Sequence, residues 1–443
     1  MRLILLFTIL FSANLQARIN HAPSNFQTSD GNVIFVDFKT GEYDITFDSK
    51  NKTVNVVSKI TFLSDETGVP AFDLKENPTQ MILDNEVITS KVISSPDKDT
   101  WFRIALKTIQ PGIHTLIITA PIKEEVLFTS DGVSSAFWFS DLGDRGLLET
   151  YLPANFEYDQ YKITLNLDFK NMSKQKIYTN GKISKFDNNK FKVEFPETYT
   201  SSSLYFHTAP IDRYPEILFK FRSIDGRDIP VTIYSGVKGT SLETAKTKTL
   251  SSLEGLESKY GPFLHSSVTI FIAGNGGMEY CGATMTDTWS LNHELTHSYF
   301  ARGGFMPANG NAGWIDEAIT TWSDEGSGMR PDMNAHSNMA GNTEYRRYTH
   351  SDAYSAGKVF MYYLNFKFQS SGGLTSFLNH LIQTSAFQPM TTEEFVQKMS
   401  AFYSEDMMPF FKSHVYTDKG IVYVNRTKPV HMKMTQQEMR QYL

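Results

Sequence analysis

Asn292-His293-Glu294-Leu295-Thr296-His297 is the stretch around which the rest of the chain is organised. On a helix, residues four apart lie on one face, one turn above the other, so both imidazoles reach a single metal ion. Glu294 follows His293 directly, where its carboxylate meets a water on that ion. Two imidazoles do not complete such a site. It needs a third protein ligand and an open position for water. Two solvated histidines on a surface helix would give the same pattern, so the neighbouring stretches decide.

Downstream runs Gly313-Trp314-Ile315-Asp316-Glu317-Ala318-Ile319-Thr320-Thr321-Trp322, helical in pattern and closed by Gly326. Glu317 is the expected third ligand. With this stretch the chain resembles the gluzincin metallopeptidases, specifically the aminopeptidase N family, in which a W-L-N-E-G-like helix supplies the third zinc ligand. Trp314-Ile315-Asp316-Glu317-Ala318 matches it. The spacing from His297 is one residue longer than the family's usual one, and strict spacing selects Asp316. The flanking Trp-Ile and Ala favour Glu317, and the Gly/Pro/Asn-rich loop 303–313 absorbs the extra residue.

Upstream, Gly276-Gly277-Met278-Glu279-Tyr280 resembles the family's G-x-M-E-N/Y stretch. The resemblance implies an edge strand that pairs with the substrate backbone and a Glu279 that grips a free α-amino group. Tyr354-Ser355-Ala356-Gly357-Lys358-Val359 resembles the family's Y-x-K-G helix start, with Ala356 where Lys is usual. There the Tyr hydroxyl donates to the oxyanion, which gives Tyr354 that role.

At 443 residues and a net charge of −6 without long charge runs, the chain is an ordinary soluble multidomain protein. Nothing in that balance suggests nucleic acid or an anionic membrane surface as a partner. Arg2, the apolar run Leu3 to Phe11 and Leu15-Gln16-Ala17 read as a signal peptide over residues 1–17. No transmembrane anchor is expected after its removal. The single cysteine, Cys281, forbids an intrachain disulfide, and this favours a bacterial periplasmic or secreted protein. Cys281 reads as a buried bystander.

The expected fold class is α+β and multidomain. Residues 18–207 form an all-β, β-sandwich-like domain, with strands at Asn32–Phe38, Tyr43–Phe47, Thr53–Phe62, Trp101–Leu106 and His114–Ile122. A break in the alternation at Val57 suggests a bulge. Residues 208–417 form a thermolysin-like catalytic domain with a β lobe and a helical lobe. A short tail, 418–443, is too brief for the large helical C-terminal domain of many relatives. The zinc helix is expected to start near Asp287 or Thr288 and to end at Gly303-Gly304.

The resemblance implies a metallopeptidase with one Zn²⁺ held by His293, His297 and Glu317, Glu294 as general base and Tyr354 on the oxyanion. Gly276, Gly277, Met278 and Glu279 bind the substrate, a peptide with a free N-terminus. The most direct reading is an aminopeptidase. The N-domain residue that completes the amine anchor in the family is not identifiable. A glycyl-aminopeptidase-like enzyme, which also carries a G-G-[LM]-E stretch before its zinc helix, is the nearest alternative. A gluzincin endopeptidase follows, and then a non-catalytic exported binding protein on a peptidase fold.

Overall fold

The computed structural model describes residues 21–137, 149–187, 189–274, 276–308, 310–325, 335–346 and 348–417. The expected signal segment and the tail 418–443 lie outside them.

From Phe26 to Pro210 the described chain is strands, with one 3-10 turn at Ser201–Ser203. They form sheets of five, eight and four strands. The largest is centred on the hairpin Asp37–Asp48 and Thr53–Ser64, with Gly112–Ile122 antiparallel on one side and Lys162–Lys170 parallel on the other. Thr53–Ser64 alternates inward and outward along its whole length. The bulge expected at Val57 is therefore absent: Val57 points outward and pairs in register with Asp44 and Thr119, and the irregularity lies at Phe38 to Thr40 instead. An exposed valine had broken the apolar pattern without disturbing the backbone.

The second region opens with strands β1 (Glu216–Arg222), β2 (Asp228–Ser235), β3 (Val268–Ile272), β4 (Gly277–Tyr280) and β5 (Ala283–Thr286). Their order is β1-β2-β3-β5-β4, which leaves β4 at the sheet edge. Helix α1 (Leu242–Tyr260) connects β2 to β3; Ser241 accepts from Thr244 N at its start and Gly261 ends it at φ 92°. Among the described residues six further α-helices follow: α2 (Leu291–His297), α3 (Gly313–Glu325), α4 (Ala356–Lys367), α5 (Gly373–Ser385), α6 (Thr392–Tyr403) and α7 (Met408–His414). Thr391 and Glu394 form the capping box that starts α6.

The two larger of three apolar interiors among the described residues hold this arrangement. One takes residues from all three N-terminal sheets and continues into Tyr234, Phe271, Met278, Tyr280 and Met285 of the β1–β5 sheet. The two regions thus share a core instead of meeting through a linker. The other joins the opposite face of that sheet to the helices, with Leu291, Leu295, Trp314, Ile319, Phe360 and Phe411 inside it. Buried Trp314 donates from Nε1 to Thr392 Oγ1 at 3.1 Å, which satisfies its polar edge. A third contact fixes the chain ahead of Tyr354. Tyr345 packs on the N-terminal rings Phe26, Phe35 and Phe102.

The helix carrying the two histidines is shorter than its flanking residues suggest. Asp287 caps a turn, accepting from Trp289 N and Ser290 N at 2.6 and 2.7 Å, and the helix itself starts at Leu291. It ends at His297, and irregular turns continue to Gly304. Among the described residues, no helix is long and apolar enough to cross a membrane.

Candidate active site

Helix α2 presents His293 and His297 with ring centroids 4.9 Å apart. Glu317, just past the first turn of α3, turns its Oε2 to both, 3.3 Å from His293 Nε2 and 3.6 Å from His297 Nε2. The three ligand atoms lie within 4.8 Å of one another and all three residues are buried. Two ligands about 2.0–2.1 Å from a tetrahedral zinc are themselves about 3.3 Å apart. Spacing and donor chemistry therefore fit a zinc ion.

Asp316 and Glu317 are neighbours on a helix, so their side chains leave it in different directions. Glu317 faces the Nε2 side of His297. Asp316 accepts from His297 Nδ1, and this pairing leaves Nε2 as the lone-pair nitrogen that a metal needs. Thr320 Oγ1 lies 3.3 Å from the same Nδ1. The ambiguity between Asp316 and Glu317 thus resolves into two positions: one beside the second imidazole nitrogen, the other at the point where the three donors meet.

The electrostatics are those of an anionic cage. Burial by itself pulls the His297 imidazole toward neutrality, but Asp316, Glu279 and Glu317 outweigh it and drive its pKa up. Burial pushes Asp316 above the usual carboxylate range against the pull of His297. Positive charge is favoured at this point, whether a proton or a dication supplies it.

Glu294 is buried at the side of the same group. Its carboxylate lies against the backbone of Gly277, where any Cβ would collide with it. Glycine at 277 is what lets the edge strand β4 pass so close. Gly276 precedes it at φ 75°, a conformation that favours glycine, and its carbonyl accepts from Asp287 N at 3.2 Å.

Alternation along β4 puts Glu279 on the same face as Gly277. Its carboxylate lies within 4.8 Å of a ring nitrogen of His297 and an oxygen of Asp316. On its other side, Arg302 Nη2 is 3.6 Å from Glu279 Oε1, and both side chains are 1% exposed. Met278 and Tyr280 point to the opposite face and enter the core shared with the N-terminal region. Met278 is thus available to a peptide only through its backbone.

Tyr354 closes the 3-10 turn Ser351–Tyr354, which packs on α3, and it is half-buried. Three residues on, Gly357 brings the start of α4 against α3: a Cβ there would lie 2.9 Å from Ala318 Cβ. The small residue sets the spacing between the Glu317 helix and the Tyr354 turn. Cys281 is fully buried, and burial pushes its thiol up to about 12, which suits a bystander and not a nucleophile.

The structure thus gathers His293, His297, Glu317, Glu294, Gly277 and Glu279 in one place, with Tyr354 on the turn beside α3. Sequence reading missed Asp316 as the partner of His297 and Arg302 as the partner of Glu279. An arginine inside Tyr299-Phe300-Ala301-Arg302-Gly303-Gly304-Phe305 was the available signal, because a cation in an apolar run calls for a buried counter-charge.

No protein-family profile matches the sequence, and no curated protein is similar enough in sequence to match it. The fold does match, and its solved counterparts are M1 zinc metallopeptidases. The M1 zinc metallopeptidase of Deinococcus radiodurans superimposes with a TM-score of 0.60 at 13% identity, over 86% of this chain and 95% of that one. Yeast LTA4 hydrolase gives 0.62 at 12% identity, over 89% of this chain and 69% of that one. Legionella pneumophila aminopeptidase A gives 0.62 at 13% identity, over 88% and 50%. At such identities the likeness is one of architecture.

Proposed function

We propose that this chain is a zinc-dependent metallopeptidase that removes N-terminal residues from peptides. The observation that carries the proposal is the meeting of His293, His297 and Glu317 beside a Glu294 pressed against an edge strand. The fold likeness supports it, and a Deinococcus radiodurans counterpart has been captured with a Tyr-Ser-Ala substrate.

His293, His297 and Glu317 would hold a zinc ion, which would supply Lewis acidity for the scissile carbonyl and the attacking water. Glu294 takes the proton of that water and delivers it to the leaving amine. Tyr354 donates its hydroxyl proton in a hydrogen bond to the oxyanion. The free edge of β4 at Gly276 and Gly277 pairs with the peptide backbone, and Glu279 receives the α-ammonium, which fixes the cut at the chain end. The reading of residues 1–17 as a signal segment supports a periplasmic or secreted location.

The test is zinc content measured alongside hydrolysis of a matched pair, a peptide with a free N-terminus and its acetylated twin. One zinc per chain with cleavage of the free peptide alone is expected. Equal cleavage of both would keep the metallopeptidase and discard the amine anchor, leaving an endopeptidase. Absence of both zinc and cleavage would overturn the proposal.

A further inference from the structure

Arg302 stands out because a guanidinium sealed at 1% exposure needs a reason. It follows the zinc helix by a turn in which Ala301 takes φ 69°, a left-handed conformation unusual for alanine. That turn sends the Arg302 backbone back to the helix, where its N–H donates to His297 O at 3.0 Å. The side chain reaches Glu279 Oε1 at 3.6 Å from Nη2, and Ser202 Oγ at 3.3 Å from Nη1.

Ser202 belongs to the N-terminal region, whose neighbouring residues brace the same strand. Cys281 N donates to Ser203 O at 3.3 Å, and Asn180 Nδ2 donates to both Ser203 O and Cys281 O at 2.8 Å. Arg302 thus ties the turn after the zinc helix, the β4 edge strand and the N-terminal region together at the one carboxylate assigned to the substrate amine.

The charges argue in the same direction. Glu279, Glu294, Asp316 and Glu317 are all buried within this site. The Arg302 guanidinium meets this group at Glu279. A buried carboxylate crowded by three others is repelled from them, and the guanidinium 3.6 Å from its Oε1 holds it in place.

We propose that Arg302 is a specificity-determining positioning residue that holds the Glu279 carboxylate for the α-ammonium of the substrate. This rests on the aminopeptidase reading above.

The experiment is a double-mutant cycle of Arg302→Met and Glu279→Gln, with Arg302→Lys as the conservative variant, assayed on the free and acetylated peptide pair with zinc content followed throughout. Glu279→Gln removes the buried charge that Arg302 answers, so the double variant also keeps the comparison open if Arg302→Met alone folds poorly. The expected result is a KM for the free peptide raised about tenfold or more in Arg302→Met, with kcat changed far less and zinc retained. Arg302→Lys should recover part of the loss, and Arg302→Met should add almost nothing on the Glu279→Gln background. A loss carried by kcat with KM unchanged, or additive effects in the cycle, would overturn the proposal and make Arg302 a purely structural tie. A lower KM for the free peptide in Arg302→Met would also overturn it, by showing that Arg302 competes with the substrate amine. If the wild-type protein cleaves both peptides equally, the aminopeptidase reading itself has failed, a separate result visible before any variant is made.

Discussion

Two buried histidines, His297 and His207, show how differently this chain uses one residue type. His297 sits among Asp316, Glu279 and Glu317, and those carboxylates overcome its burial and raise its pKa. His207 lies on strand Phe206–Pro210, where the N-terminal core meets the β1–β5 sheet, and its surroundings are rings. Tyr234 OH is 2.8 Å from its Nδ1, Tyr214 OH is 3.4 Å from its Nε2, and Phe271 packs edge-on at 5.1 Å. Burial drives the His207 pKa down to about 3. One site draws in positive charge and the other rejects it. Burial alone does not make a functional histidine; the anions around it do.

The sharpest way to break this contrast is to remove the chemistry and leave the cage. Glu294→Gln should retain zinc and lose about 10³-fold in kcat, within the range for a general base. Near-wild-type turnover with zinc bound would show that Glu294 is not the base. Tyr354→Phe should lower kcat by about 10²-fold with KM nearly unchanged, because an oxyanion donor acts chiefly in the transition state. Steady-state kinetics on the same peptide separates that outcome from a binding defect.

Asp316→Asn keeps a hydrogen-bonding group beside His297 Nδ1 and removes its charge. Zinc affinity should fall about 10- to 100-fold, read by competition with a chelator. An unchanged affinity would mean that Asp316 does not tune the ligand.

The other member of the pair predicts a stability effect. Between pH 6.5 and about 3 the unfolded chain protonates this histidine while the folded ring stays neutral. Its contribution is therefore complete above pH 6.5 and is lost as the pH falls, at about 1.4 kcal/mol per unit. His265, buried with its pKa lowered to about 4, adds to the same slope. Denaturant unfolding at pH 6.5 and pH 5 should show His207→Gln losing about 2 kcal/mol less than wild type over that interval. Equal losses would remove His207 from the account.

The same contrast marks what the sequence made legible. His293, Glu294 and His297 could be read because their geometry is local, within five consecutive residues of one helix. The strands at Thr53–Phe62 and His114–Ile122 could be read from their β-rich composition between turn residues, although an outward Val57 imitated a bulge. Strict spacing pointed to Asp316 and the flanking Trp-Ile and Ala to Glu317; the place of Asp316 beside His297 Nδ1 needed the direction of α3 relative to α2, which no spacing rule carries. The start of α2 was misplaced because Asp287, a good cap, closes the preceding turn instead. The Arg302–Glu279 and His207–Tyr234 pairs join residues far apart in the chain, and only the tertiary fold brings them together.

The most direct test of the central claim is the zinc stoichiometry of the purified protein compared with that of His297→Ala and His207→Gln. The account predicts one zinc per chain in the wild type and in His207→Gln, and loss of it in His297→Ala. Zinc retained at full stoichiometry by His297→Ala, or absent from the wild type after incubation with the metal, would contradict it.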